Sequence, residues 1–143
     1  MQRVRHLLDR KGHEIWSVDA GAPVLEAIQA MADKRVGALP VTRQGKLIGV
    51  VSERDYARKV ILMGRSSAET PVEQIMSSPV VTVTQDDPVR RCMELMTERR
   101  IRHLPVLGPD GVMIGMISIG DLVRAVIEEQ QETIEQLEKF ISG

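Results

Sequence analysis

Aromatic side chains are almost missing from this 143-residue chain, which has one Trp, one Tyr and one Phe. Its core must therefore be aliphatic, and a planar ligand must be held without a stack of rings. Cysteine is nearly missing too. Cys92 stands alone, which excludes an internal disulfide and a cysteine-based metal cluster. No apolar run nears the ~18 residues that cross a bilayer, and the first residues lack the apolar stretch of a signal peptide. Nor is there an excess of charge: a net −1 argues against a general binder of nucleic acid or acidic membrane. These absences point to a soluble, cytoplasmic protein with no membrane role. The length suits one domain or two small halves sharing a core.

What the chain does have is a repeat. Gly49-Val50-Val51-Ser52-Glu53-Arg54-Asp55 reads as a buried strand running into a helix, and it returns as Gly115-Met116-Ile117-Ser118-Ile119-Gly120-Asp121. A shift of 65 residues lays Val18 on Val83, Pro23 on Pro88, Leu39 on Leu104 and Pro40 on Pro105. The turn at Leu107–Gly111 is one residue longer than its counterpart, and beyond it a shift of 66 lays Ser52 on Ser118 and Asp55 on Asp121. Each half reads as strand, helix, strand, turn, strand, helix. In the first half these are a strand at Ile15–Val18, a helix from Pro23, strands at Val36–Val41 and Leu47–Val51, and a helix over Arg54–Met63 capped by Gly64. Such halves are small alone and would bury apolar faces against each other, as a pseudo-two-fold pair.

Two helices lie outside the repeat. Met1–Lys11 carries Val4, Leu7 and Leu8 among basic residues and reads as a short amphipathic helix with a solvated basic face. The last helix is expected from Ile119 to about Ile141, with Val123, Ile127, Ile134, Leu137 and Ile141 on a seam that only Gln130 interrupts. The division expected is residues 1–12, 13–70, 71–128 and 129–143: N-terminal helix, first repeat, second repeat and C-terminal extension. Cys92 falls on an apolar helical face and reads as a packing thiol.

Gly, two apolar residues, Ser, two variable residues and Asp is a spacing with chemical use. One carboxylate can accept hydrogen bonds from both hydroxyls of a ribose, each such charge-assisted bond contributing ~1.5–3 kcal/mol. A serine where a strand opens a helix can meet a phosphate. The plainer alternative makes each Ser a helix N-cap and each Asp a first-turn charge. Both readings stand on the residues alone.

Val36-Gly37-Ala38-Leu39-Pro40-Val41 with the first Ser-x-x-Asp, and Ile101-Arg102-His103-Leu104-Pro105-Val106 with the second, resemble a tandem pair of cystathionine β-synthase (CBS) domains, a Bateman module of the free-standing bacterial type. The resemblance covers about Ile15–Val126. It implies an α+β fold of two pseudo-symmetric βαββα repeats packed sheet to sheet, with the C-terminal helix extended beyond them. It also implies a regulatory module rather than an enzyme, with no catalytic cofactor or metal, binding AMP or NAD(H), or else ADP or ATP, in clefts shared by the two repeats.

Carried over, the first cleft would use Ser52, Glu53, Arg54, Asp55, Arg58 and Lys59 with Pro79, Val80, Thr82, Arg102 and His103. The second would use Ser118 and Asp121 with Trp16, Val18, Gly37 and Ala38. Gly120 stands where the first copy has Arg54, and Gly37-Ala38 where the second has Arg102-His103, so the Asp55 cleft is expected to be the stronger phosphate site. A homodimer signalling to an unnamed regulated protein is expected. Two competing readings are a scaffold or nucleic-acid binder, using the basic N-terminal helix and the C-terminal seam, and an enzyme acting on the bound nucleotide.

Overall fold

Both copies of the Ser-x-x-Asp motif stand at the end of a three-stranded sheet. In the computed structural model, which describes residues Gln2–Ser142, the chain opens with α1 (Val4–Lys11), followed by β1 (Val18–Asp19), α2 (Val24–Lys34), β2 (Ala38–Arg43), β3 (Lys46–Ser52) and α3 (Glu53–Tyr56). A 3-10 turn at Val72–Gln74 leads to β4 (Val83–Thr84), α4 (Val89–Arg99), β5 (His103–Leu107), β6 (Met113–Ser118) and α5 (Ile119–Ser142). The class is α+β, as expected. Two units form, one from Trp16–Val81 and one joining Met1–Ile15 to Thr82–Gly143.

Each unit holds one sheet, ordered β1-β2-β3 or β4-β5-β6. The outer short strand pairs parallel to the middle one, Val18 with Val41 and Val83 with Val106, which a crossover helix makes possible. The hairpins are antiparallel and set Ala38 opposite Ser52 and His103 opposite Ser118. α2 buries Val24, Ala27 and Met31, and α4 buries Val89, Cys92 and Met96. Burial, with Asp87 nearby, pushes the Cys92 thiol up to about 11, so it stays protonated and packs as an apolar group.

Three local expectations are corrected. The first strand is not Ile15–Val18 but the two residues Val18–Asp19, set by pairing with β2. β2 begins at Ala38, not Val36, because Arg35 turns left-handed at the end of α2 and the Val36 N–H goes back to the Met31 carbonyl at 3.0 Å. Ile101 closes α4 on Met96 in the same way. The helix expected over Arg54–Met63 starts one residue earlier, and after Tyr56 it widens into a π-helical turn, Ala57–Ile61, whose bonds include Leu62 N–H to the Ala57 carbonyl.

The segments leading into the two repeats pack by the same plan. In the first unit Pro71 bridges Pro23, the 3-10 turn buries Val72, and Ile75 just after it is buried too. In the second, Arg3 bridges Pro88, and α1 buries Val4, Leu7 and Leu8. Each segment also covers a glycine of the hairpin. A Cβ on Gly49 would lie 2.6 Å from Met76 Sδ, and one on Gly115 would lie 2.6 Å from Leu8 Cδ2. A side chain at either place would force that neighbour to shift, and at Gly49 it would also meet the Ser77 carbonyl at 2.9 Å. α1 is thus a core element of the second unit. Its basic residues are also engaged there: Arg5 pairs with Asp86, Arg10 with Glu128 and Lys11 with Asp121. That leaves the competing reading of a nucleic-acid-binding arm with few charges to offer. The seam of α5 is exposed, with Ile127, Ile134, Leu137 and Ile141 all on the surface.

Candidate functional site

Serine and aspartate in each motif hold one another. Ser52 donates to Asp55 Oδ2 through its N–H at 2.9 Å and its hydroxyl at 3.0 Å, and the Asp55 N–H returns a bond to Ser52 Oγ at 3.1 Å. Ser118 and Asp121 repeat this at 2.8, 3.1 and 3.3 Å. Such a reciprocal cap satisfies backbone donors that a helix start otherwise leaves orphaned. The plain N-cap role is therefore filled in both copies. It uses Oδ2 only, and each side chain is 12% exposed.

An ammonium meets each carboxylate. Lys59, one turn on from Asp55, lies 3.3 Å from Oδ1 and donates to the Ile75 carbonyl at 2.9 Å. At Asp121 the cation comes from α1: Lys11 Nζ is 2.7 Å from Oδ2 and 2.8 Å from the Met116 carbonyl. Arg124 adds a contact to Oδ1 at 3.8 Å. Burial works to raise the Asp121 pKa, but the Lys11 bond, the Ser118 N–H and hydroxyl and the Lys11 charge together hold it below the ordinary carboxylate value. A carboxylate lowered in this way stabilises the fold above about pH 4 and loses that contribution as the pH falls through its native pKa.

Among the other residues singled out in the sequence, Arg54 and Arg58 are exposed beside Asp55. Gly37 accepts the Glu53 N–H at 3.0 Å, as Arg102 accepts that of Ile119 at 2.9 Å. Ala38 and Val18 are buried, so Val18 offers a ligand little beyond its backbone. Trp16 is half-buried, with Lys34 Nζ 5.1 Å from its ring centre. Pro79 is exposed and follows a cis peptide bond, while Val80 is half-buried. All of these except Arg102 belong to the first unit. Thr82, Arg102 and His103, expected beside Asp55, belong to the second.

Lys11 was legible only as part of a basic helical face. Arg124 was findable, because the shift of 66 lays Arg58 on it. The same shift lays Lys59 on Ala125, so α5 carries no ammonium at that place and Lys11 fills the role. Among the described residues, no group of three or more His, Cys, Asp or Glu could hold a metal ion, and no helix is long and apolar enough to cross a membrane.

The profile of the CBS domain family matches residues 4–61 and 72–128, and the chain belongs to that family as a tandem pair of CBS domains. Both matches begin where a leading segment begins, at Val4 and at Val72. The CBS domain-containing protein CBSX3 of Arabidopsis thaliana, a mitochondrial protein, is 47% identical over 125 residues, 84% of this chain. The chain spans 60% of that relative's length. A solved structure of a protein with CBS domains from Burkholderia ambifaria shares 47% identity at a TM-score of 0.85, covering 90% of this chain and 96% of that one. The CBS domain pair of MJ0100, solved in complex with 5′-methylthioadenosine and S-adenosyl-L-methionine, has a TM-score of 0.77, covering 87% and 99% of the two chains. At 22% identity that likeness is one of fold.

Proposed function

We propose that this protein is a non-catalytic sensor that binds an adenine nucleotide at its Ser-x-x-Asp motifs and passes occupancy to a partner protein. AMP and NAD(H) are the first candidates, ADP and ATP the next. The observation that carries the reading is that the same group occurs twice: a sheltered carboxylate whose Oδ2 is used by its own helix cap, with a lysine ammonium held beside it by a backbone carbonyl. The carboxylate suits the two hydroxyls of a ribose and the ammonium suits phosphate. MJ0100's two ligands both contain adenosine, which supports the same ligand class. With so few aromatic residues, adenine would be held between aliphatic side chains and read by backbone groups.

A micromolar ligand supplies ~8 kcal/mol in total, and only the difference in affinity between two states can drive a switch. Calorimetric titration with AMP, NADH and GMP tests the reading. AMP or NADH should bind and GMP, with the same phosphate as AMP, should bind at least about tenfold more weakly; equal binding of AMP and GMP would remove adenine from the account. Self-association through the exposed α5 seam belongs to the same reading, since a sensor pair can transmit a change from one copy to the other. Light scattering should give the mass of two chains, falling to one in Leu137→Glu, whereas a monomeric native protein would refute the seam's role.

A further inference from the structure

We propose that Lys11 is a ligand-binding residue of the Asp121 site, supplying from α1 the cation that Lys59 supplies at Asp55. The inference rests on the nucleotide reading and names a residue outside both Ser-x-x-Asp motifs. Its basis is that two lysines unrelated by the repeat make the same pair of contacts. Each ammonium touches the motif's carboxylate and one backbone carbonyl, Ile75 for Lys59 and Met116 for Lys11. An ammonium has three donors, so one remains for a ligand oxygen in each case. Both lysine side chains keep solvent access, 45% for Lys59 and 37% for Lys11, while the carboxylates are sheltered.

α1 fixes where Lys11 points. Leu8, one turn earlier, is fully buried at Gly115, and the Val4 N–H donates to the Asp87 carbonyl at 2.9 Å. Arg5 and Arg10 are paired with Asp86 and Glu128, and His13 Nδ1 lies 3.1 Å from the Ile114 carbonyl just beyond the helix. The chain is therefore tied down on both sides of Lys11, and its ammonium arrives placed rather than searching. Without it, Asp121 would keep only the longer contact to the exposed Arg124, at 3.8 Å, and an incoming phosphate would meet a carboxylate whose charge is far less offset. The lowered pKa of Asp121 agrees with this pairing.

The test uses the full chain with the first motif silenced by Asp55→Asn, which keeps an acceptor for the helix cap, together with Lys59→Met, Arg54→Met and Arg58→Met, which remove its cations. AMP, adenosine and inorganic pyrophosphate are titrated into this protein and into the same protein with Lys11→Met or Lys11→Arg. Lys11→Met should weaken AMP about tenfold or more, leave adenosine within about threefold, and abolish pyrophosphate binding; Lys11→Arg should restore most of the AMP affinity. A purely structural role for Lys11 would lower AMP and adenosine by the same factor and would overturn the proposal, as would AMP binding indifferent to Lys11, which leaves the nucleotide reading standing. Pyrophosphate binding that depends on Lys11, with no adenine compound bound, would keep Lys11 as an anion ligand and discard the nucleotide. Binding of none of the three would discard both.

Discussion

Replacing Asp55 by Ala should cost about a hundredfold in AMP affinity at the first motif, and Asp121→Ala should do the same at the second. A ribose that bonds both hydroxyls to one carboxylate makes two charge-assisted bonds of ~1.5–3 kcal/mol each. Every ~1.4 kcal/mol is a factor of ten, so losing both exceeds a hundredfold even at the lower bound. Unfolding measured beside the titration separates this from lost structure, because each aspartate also completes a helix cap worth ~0.5–2 kcal/mol. The two losses should lie within about tenfold of each other. From the sequence the Asp55 motif looked far richer in positive charge, but Arg124 matches Arg58 and Lys11 stands in for Lys59. What remains of the difference on the helices is Arg54 against Gly120. A loss at Asp55→Ala with none at Asp121→Ala would restore the larger inequality and deny Lys11 its role.

The second large effect is on folding. Leu8→Ala should destabilise the protein by about 2–5 kcal/mol, the range for emptying a buried leucine site. That is a large share of a typical stability of ~5–15 kcal/mol. Leu8 is fully buried, and its Cδ2 lies where a side chain on Gly115 would be. Leu25→Ala is the control, since Leu25 is 39% exposed and should lose much less. Urea denaturation of both variants reads the difference. A Leu8→Ala cost no larger than the control would mean that α1 is an appendage, as its basic face first suggested. Leu8 and Lys11 lie one turn apart on α1, so the same packing that makes Leu8 costly to remove also delivers the ammonium to Asp121.

The repeat and its hairpins were readable in the sequence because their signals are local. Pro-Val before the turn, Gly at the crossing and Ser-x-x-Asp after the strand all lie within about twenty residues, and two copies in register reinforce each other. The family, the α+β class and the position of both motifs followed from them. The role of α1 was not readable in that way. Val4, Leu7 and Leu8 correspond to Val72, Ile75 and Met76 at a shift of 68, which differs from the shift of 65 or 66 that relates the repeats. Three apolar residues without a motif do not reveal that offset, and Lys11 went with them into a basic face. The glycines could have pointed to it, since a Cβ on Gly49 or Gly115 would force a close neighbour to shift. The π-helical turn after Tyr56 and the late start of β2 depend on which carbonyl accepts a given N–H. Apolar spacing does not carry that information.

The central claim is that the Ser-x-x-Asp motifs hold an adenine nucleotide, and calorimetric titration of the intact protein with AMP, ADP, ATP, NAD and NADH addresses it most directly. The account predicts saturable binding of at least one of them in the micromolar range, which Asp55→Ala and Asp121→Ala each weaken. Heats no larger than dilution for all five, at concentrations up to about 1 mM, where binding would be worth no more than ~4 kcal/mol, would contradict it.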